Sequence, residues 1–147
     1  MYKKEKWKDY ILFNNIEAIK YLLDNKLIDI NIQYENGWTP LMYASIWNNI
    51  EMVKLLLNYK DINVNHQNNW KETALILASY YNKIEIIKLL LNHPDINIFL
   101  KNDWNKTALN YAKEKFYKEI ETLLINHDRK EKLKLLKNER RMEKLYS

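Results

Sequence analysis

Three histidines, three serines, no cysteine and a single glycine are most of what this 147-residue chain offers for building a reactive site. His66, His93 and His127 form no pair at i, i+3 or i, i+4, and no thiolate stands near them, so zinc-ligand spacing is absent. His93 and His127 lie 34 residues apart at the ends of predicted helices, where an imidazole complements the helix dipole. One glycine rules out a Gly-rich phosphate loop. Ser45, Ser79 and Ser147 are the only serines, and there is no Cys nucleophile. Glu119 and Glu121 fall on one surface helix, while Glu51 and Glu85 are copies of a repeated position. The chain is therefore read as non-catalytic, without cofactor or metal. The chemistry that remains is recognition: five Trp, eleven Tyr and three Phe, and Trp and Tyr provide large contact area at modest entropic cost.

What positions those rings is a repeat. Thr39-Pro40-Leu41-Met42-Tyr43-Ala44 aligns with Thr73-Ala74-Leu75-Ile76-Leu77-Ala78 and with Thr107-Ala108-Leu109-Asn110-Tyr111-Ala112, at a constant spacing of 34 residues. Downstream, Asn49 to Leu57 aligns with Lys83 to Leu91, and Asn15 to Leu23 precedes both in the same register. Such periodicity denotes a stack of small units that bury apolar faces only against their neighbours. In each unit Thr39 and its equivalents are N-caps, and Pro40 suits the first helical position. A short helix follows, then a second with Ile50, Val53, Leu56 and Leu57 at helical spacing. Ala44, Ala78 and Ala112 are small where the two helices must approach. Asp61-Ile62-Asn63-Val64 and Asp95-Ile96-Asn97-Ile98 read as extended segments leading into hairpin-like loops.

The chain resembles the ankyrin repeat family. Gly37-Trp38-Thr39-Pro40-Leu41-Met42-Tyr43-Ala44, Ile50-Glu51-Met52-Val53-Lys54-Leu55-Leu56-Leu57 and Asp61-Ile62-Asn63-Val64-Asn65 are similar to the family's Gly-x-Thr-Pro-Leu-His-x-Ala, Val-Val-x-Leu-Leu-Leu and Asp-Val-Asn. The resemblance covers roughly residues 4–127. It implies an all-α ankyrin-repeat solenoid of about four helix-turn-helix units with short β-hairpin loops and a C-terminal helix. Three departures stand out. The family's His is Met42, Ile76 and Asn110 here, which removes a hydrogen bond usual in that turn. Its Gly survives only as Gly37, with Lys71 and Asn105 elsewhere. Counted from Asn31, Asn63 and Asn97 to the next Thr, the two later hairpins are longer than the first by two residues.

In this family, partners usually bind the hairpin tips and the exposed end of the first helix. Those positions carry Trp38, Ile46 and Trp47; then Glu72, Tyr80 and Tyr81; then Lys106, Glu114 and Lys115. Trp70 and Trp104 fall within the later hairpins. The partner-binding residues expected are Trp38, Ile46, Trp47, Trp70, Tyr80, Tyr81, Trp104 and Lys115. The same rings also fit a second reading, in which they pack against neighbouring hairpins.

The predicted organisation is a repeat domain at 1–127, with an N-terminal cap at 4–34, repeats at 35–68 and 69–102, and a terminal unit at 103–127. The charged first helix, about 4–13, suits a cap. Lys118 and Glu121, in place of Ile84 and Ile87, make the last face polar and end the array. Residues 128–147 form a basic helical extension: of the net charge of +5, the repeats carry +1 and the extension +4. That extension is read as a helix docking on the last unit, or alternatively as a surface for nucleic acid or anionic membrane. No nucleic-acid motif accompanies it. Residues 1–9 are charged where a signal peptide needs an apolar run, and no stretch approaches the roughly 18 apolar residues of a membrane helix. The expectation is a soluble, cytoplasmic, monomeric module for an unidentified protein partner; delivery into a host cell would leave no trace in these features. The twenty asparagines are interspersed with helical pattern and are read as coding bias.

Overall fold

The computed structural model describes residues 4–147; Met1–Lys3, where the charged start begins, lie outside the described residues. Eight α-helices are present among the described residues: α1 (Lys4–Leu12), α2 (Ile16–Asp24), α3 (Pro40–Ile46), α4 (Ile50–Leu57), α5 (Ala74–Tyr80), α6 (Ile84–Leu91), α7 (Ala108–Glu114) and α8 (Lys118–Tyr146). They form two layers. The first helices of successive units, α1, α3, α5 and α7, pack side by side; the second helices, α2, α4, α6 and α8, do the same behind them.

Threonine caps start α3, α5 and α7. Thr39, Thr73 and Thr107 accept hydrogen bonds at Oγ1 from the backbone N–H of Met42, Ile76 and Asn110, at 3.4, 3.1 and 3.2 Å. In the last unit Asn110 goes further: its Oδ1 accepts from the Thr107 backbone N–H at 2.8 Å, completing a capping box. Asparagine therefore restores at one site a bond that losing the family's histidine was expected to remove. Met42 and Ile76, at the other two sites, are buried apolar side chains instead. Leu41, Met52, Val53, Leu56, Leu75, Ile86, Ile87 and Leu90 join across units into one core, and Ala44, Ala78 and Ala112 are fully buried at the helix contacts.

Asparagine has a structural use that composition alone conceals. The turn between the paired helices takes a left-handed residue at Asn14, Asn48, Asn82 and Phe116, with φ of 51, 58, 56 and 59°. Hairpin tips take another at Gly37, Lys71 and Asn105, and the first tip adds Asn36. Asn tolerates this region better than other side chains because its amide bonds locally. Glycine is required only at 37, where a Cβ would stand 2.8 Å from Asn69 Oδ1 and 3.2 Å from the Asn69 backbone nitrogen.

Two expectations about the loops are corrected. The later hairpins are not longer. The equivalent of Asn31 is Asn65, not Asn63: Asn31, Asn65 and Phe99 each donate a backbone N–H to the side chain two residues back, Asp29, Asn63 and Asn97. All three loops thus have one length, and the constant spacing of 34 holds throughout. The loops are also not paired strands. In each, the opening residue donates a backbone N–H across the loop, Tyr34 to Trp38, Asn68 to Glu72 and Asn102 to Lys106, at 2.8 to 3.0 Å, and its carbonyl accepts from Gly37, Lys71 and Asn105; no strand occurs among the described residues.

The extension does not dock. α8 runs unbroken from the terminal unit into the tail, its last buried residue is Leu124, and every residue from Arg129 onward is exposed. At 1.5 Å rise per residue it projects about 27 Å. Leu133, Leu136, Met142 and Leu145 are too few and too offset to form a stripe that would hold it down.

Candidate functional site

Trp38, Glu72 and Lys106 each precede an N-cap threonine, so the repeat places them side by side on three successive hairpins. Tyr80 and Tyr81 end α5, and Tyr111 occupies the facing surface of α7. With Leu77 and Trp104, these residues line an open groove of about 490 Å³ on the inner face of the stack.

Its walls are held from behind. Asn68 and Asn102 are buried polar side chains at the same repeat position. Asn102 Oδ1 accepts from the backbone N–H of Trp104 and Lys106 at 3.1 and 3.0 Å, and its Nδ2 donates to the Tyr111 hydroxyl at 2.8 Å. Asn68 repeats the arrangement under Trp70 and Glu72, and its Nδ2 donates to Glu72 Oε2 at 2.9 Å. A turn closed by the Lys71 N–H on the Asn68 carbonyl, or the Asn105 N–H on that of Asn102, and ending in that left-handed residue is thereby fixed in both later hairpins. Tyr80 meets Tyr81 and Tyr111 edge to face, with centroids 5.0 and 5.2 Å apart. Lys106 pairs with Glu114. The Lys115 ammonium stands 3.9 Å from the centroid of the Tyr80 ring.

Of the expected contact residues, the groove gathers Trp38, Tyr80, Tyr81 and Trp104, with Lys115 beside them. Ile46, Trp47 and Trp70 do not line it. Ile46 is half-buried against the core, Trp47 is 55% exposed at the end of α3, and Trp70 is 38% exposed at a hairpin tip. Trp104 is 57% exposed, so neither later-hairpin tryptophan is a core residue. Trp38 is the most supported ring: it lies against Tyr43 at 5.1 Å, and Tyr43 meets Tyr34 at 5.6 Å.

Sequence reasoning missed Tyr111, which the alignment showed only as the counterpart of Tyr43 and Leu77. It also missed Phe13 and Phe116, 82% and 79% exposed. The signal for Phe13 was available: Phe13, Trp47 and Tyr81 occupy one repeat position, 34 residues apart.

Reactive groups are scattered or engaged elsewhere. Ser45 Oγ donates to the Leu41 carbonyl at 2.7 Å, and Ser79 is fully buried in α5. His66 Nε2 lies 3.0 Å from the Gly37 carbonyl, and His93 Nδ1 accepts from the Asp95 N–H at 3.2 Å. Among the described residues no three His, Asp or Glu converge as metal ligands, and no helix is long and apolar enough to cross a membrane.

Comparison with known proteins agrees with this architecture. Residues 10–68 match a family model described as ankyrin repeats in three copies, and residues 56–112 match one described as ankyrin repeats in many copies. A stretch of 43 residues is 40% identical to the ankyrin repeat, SAM and basic leucine zipper domain-containing protein 1 of Saimiri boliviensis boliviensis, and the same holds for that of Ateles geoffroyi. The stretch covers 29% of this chain and 9% of each relative. Paired helices on a 34-residue period, threonine N-caps, stacked loops and two overlapping family matches lead to one conclusion: the chain belongs to the ankyrin repeat family.

Proposed function

We propose that this chain is a non-catalytic module that binds a protein partner through the aromatic groove on its inner face. Ankyrin repeats are in general protein-binding modules, and the finer assignment rests on one observation. Five aromatic rings from neighbouring units, Trp38, Tyr80, Tyr81, Trp104 and Tyr111, converge on an open groove. Exposed aromatic clusters on a rigid backing suit the anchors of an interface, because little conformational freedom is lost on binding. On this reading residues 1–127 form the binding domain, residues 128–147 an accessory helix, and the protein acts as a cytoplasmic monomer. Trp47 and Trp70 would extend the contact beyond the groove.

The projecting, exposed half of α8 with its +4 charge favours a second reading, attachment to nucleic acid or an anionic membrane. The two separate cleanly. Affinity capture from the source lysate is run with the full chain, with residues 128–147 removed, and with Trp47→Ala/Tyr81→Ala. Groove binding predicts a captured protein that survives truncation and is lost in the double variant. Attachment through the tail predicts the reverse, with steep salt dependence that vanishes on truncation.

A further inference from the structure

Lys115 is placed unusually for a lysine on a protein surface. Among the described residues it has no carboxylate partner, although Glu114 is its chain neighbour and pairs with Lys106 instead. Its ammonium lies on the face of Tyr80, 3.9 Å from the ring centroid. That ring cannot turn away freely. Tyr81 and Tyr111 hold it edge to face at 74° and 83°, and Tyr111 is anchored through its hydroxyl to Asn102, which is only 4% exposed. The orientation of the ring face therefore traces back to a buried side chain.

The charges lining the groove are not equivalent. Lys106 is neutralised by Glu114. Glu72 takes the Asn68 amide on Oε2, and its Oε1 has no partner among the described residues. Faces of aromatic rings carry negative potential and attract cations. One unneutralised carboxylate and the fixed Tyr80 ring thus line one groove, and Lys115, which is not among the groove's lining residues, is seated on a face of that ring.

The geometry points to a cation seat: the face of Tyr80, together with Glu72, receives a basic side chain of the protein partner, and Lys115 occupies that face in the free chain. This rests on the reading of the groove as the partner site. Arginine is the better occupant, because its planar guanidinium stacks on a ring, is weakly hydrated, and presents a fork of donors to a carboxylate. Lys115 then acts as an internal competitor. A partner lacking a correctly placed basic residue would leave it in position.

The test uses the full chain and a defined probe. Acetylated, amidated Ala-Ala-Arg-Ala-Ala is titrated against it at millimolar concentration, with the citrulline peptide as a neutral isostere, following Trp indole and Tyr ring signals by NMR. The arginine peptide is expected to bind and the citrulline peptide to bind more weakly. Lys115→Gln should tighten the arginine peptide by about two- to fivefold, the size of one exposed cation–π contact, and Glu72→Gln and Tyr80→Leu should weaken it comparably. Tyr80→Phe retains the ring face and should bind as the natural chain does, which guards against a folding artefact in the leucine variant. Equal binding of the two peptides, no binding of either, or an unchanged or weaker Lys115→Gln overturns the cation seat. Capture of a protein partner separates the two levels. If capture is lost in Trp104→Ala but unaffected by Lys115→Gln and Glu72→Gln, the groove stands and the seat falls. If Trp104→Ala leaves capture intact, both fall.

Discussion

The loop edge of the stack and its inner face treat side chains in opposite ways. Along the edge, Asn31 Nδ2 donates to the Asp61 carbonyl at 2.7 Å, and its Oδ1 accepts from the Asn63 N–H at 2.8 Å. Asn65 repeats both bonds with Asp95 and Asn97 at the same distances. Each carboxamide ties its loop to the next, and the ladder ends at Phe99, which stands where the next asparagine would be. Gln67 reinforces it, donating to the Lys101 carbonyl at 3.0 Å. On the inner face the buried polar atoms of Asn68 and Asn102 are equally engaged, but the rings above them remain exposed. The edge thus holds the units in register, and the face keeps its rings free for the contact proposed above.

Ways to break that contrast follow in order of size. The largest effect should come from the core that both regions share. Leu56→Ala or Leu90→Ala should cost about 2–5 kcal/mol in urea unfolding, and should loosen adjacent units in hydrogen exchange because interfaces are shared. Loosening confined to one unit would break the picture of a coupled stack.

Next is the ladder. Asn65→Ala removes two bonds between loops and should destabilise by about 1–3 kcal/mol. Phe99→Asn, by contrast, should gain no comparable amount, since no further loop stands beside it to be bridged. A matching gain there would show that the asparagine acts within its own loop.

A smaller effect belongs to the inter-helix turns. Phe116 holds a left-handed conformation that Asn14, Asn48 and Asn82 hold in the other units. Phe116→Asn should stabilise by up to about 1 kcal/mol, and Asn48→Phe should destabilise by a similar amount. If Phe116→Asn instead destabilises, the exposed ring makes packing contacts that its exposure does not reveal.

The smallest expected effect is a pH dependence on the outer layer. The Tyr59 hydroxyl donates to Asp24 Oδ1 at 2.6 Å. Burial, then the Asp24 hydrogen bond, push the Tyr59 phenol up to about 12. Because the folded value lies above the ordinary one near 10, this contribution is complete below about pH 10 and fades as pH rises through about 12. Asp24 runs the other way: its bond from Lys20, then that from Tyr59, hold it below the usual carboxylate range. Its contribution is present above that range and disappears as pH falls through the lowered value. Tyr59→Phe should flatten the alkaline part of a stability-versus-pH curve and leave the groove unaffected.

Much of the fold was legible because it rests on local rules repeated in register. A threonine cap, a small residue at the helix contact and an Ile-Leu stripe specify the three later helix pairs without reference to the rest of the chain. Matching the identical letters Asp-Ile-Asn misplaces the hairpins, because the hydrogen bonds follow the 34-residue spacing and equate Asp29 with Asn63. In the sequence asparagine is only composition; its left-handed turns and carboxamide ladder exist in three dimensions. For the tail, helix propensity correctly gave a helix, and the expected docking failed for want of a continuous apolar face. At the site, Trp38, Tyr80, Tyr81 and Trp104 were reachable from repeat position. Tyr111 was not, because its place depends on how adjacent units meet and on the Asn102 anchor beneath it.

The central claim is that the inner-face rings contact a partner and do not hold the fold. Its most direct test is one titration of the captured partner against the natural chain and Tyr81→Ala/Trp104→Ala, with thermal unfolding of both. The account predicts a nearly unchanged unfolding midpoint and an affinity lower by about 30-fold or more, the scale of one interface hot spot. Unchanged affinity, or a collapse in stability of the roughly 3–5 kcal/mol typical of core aromatic truncation, would contradict it.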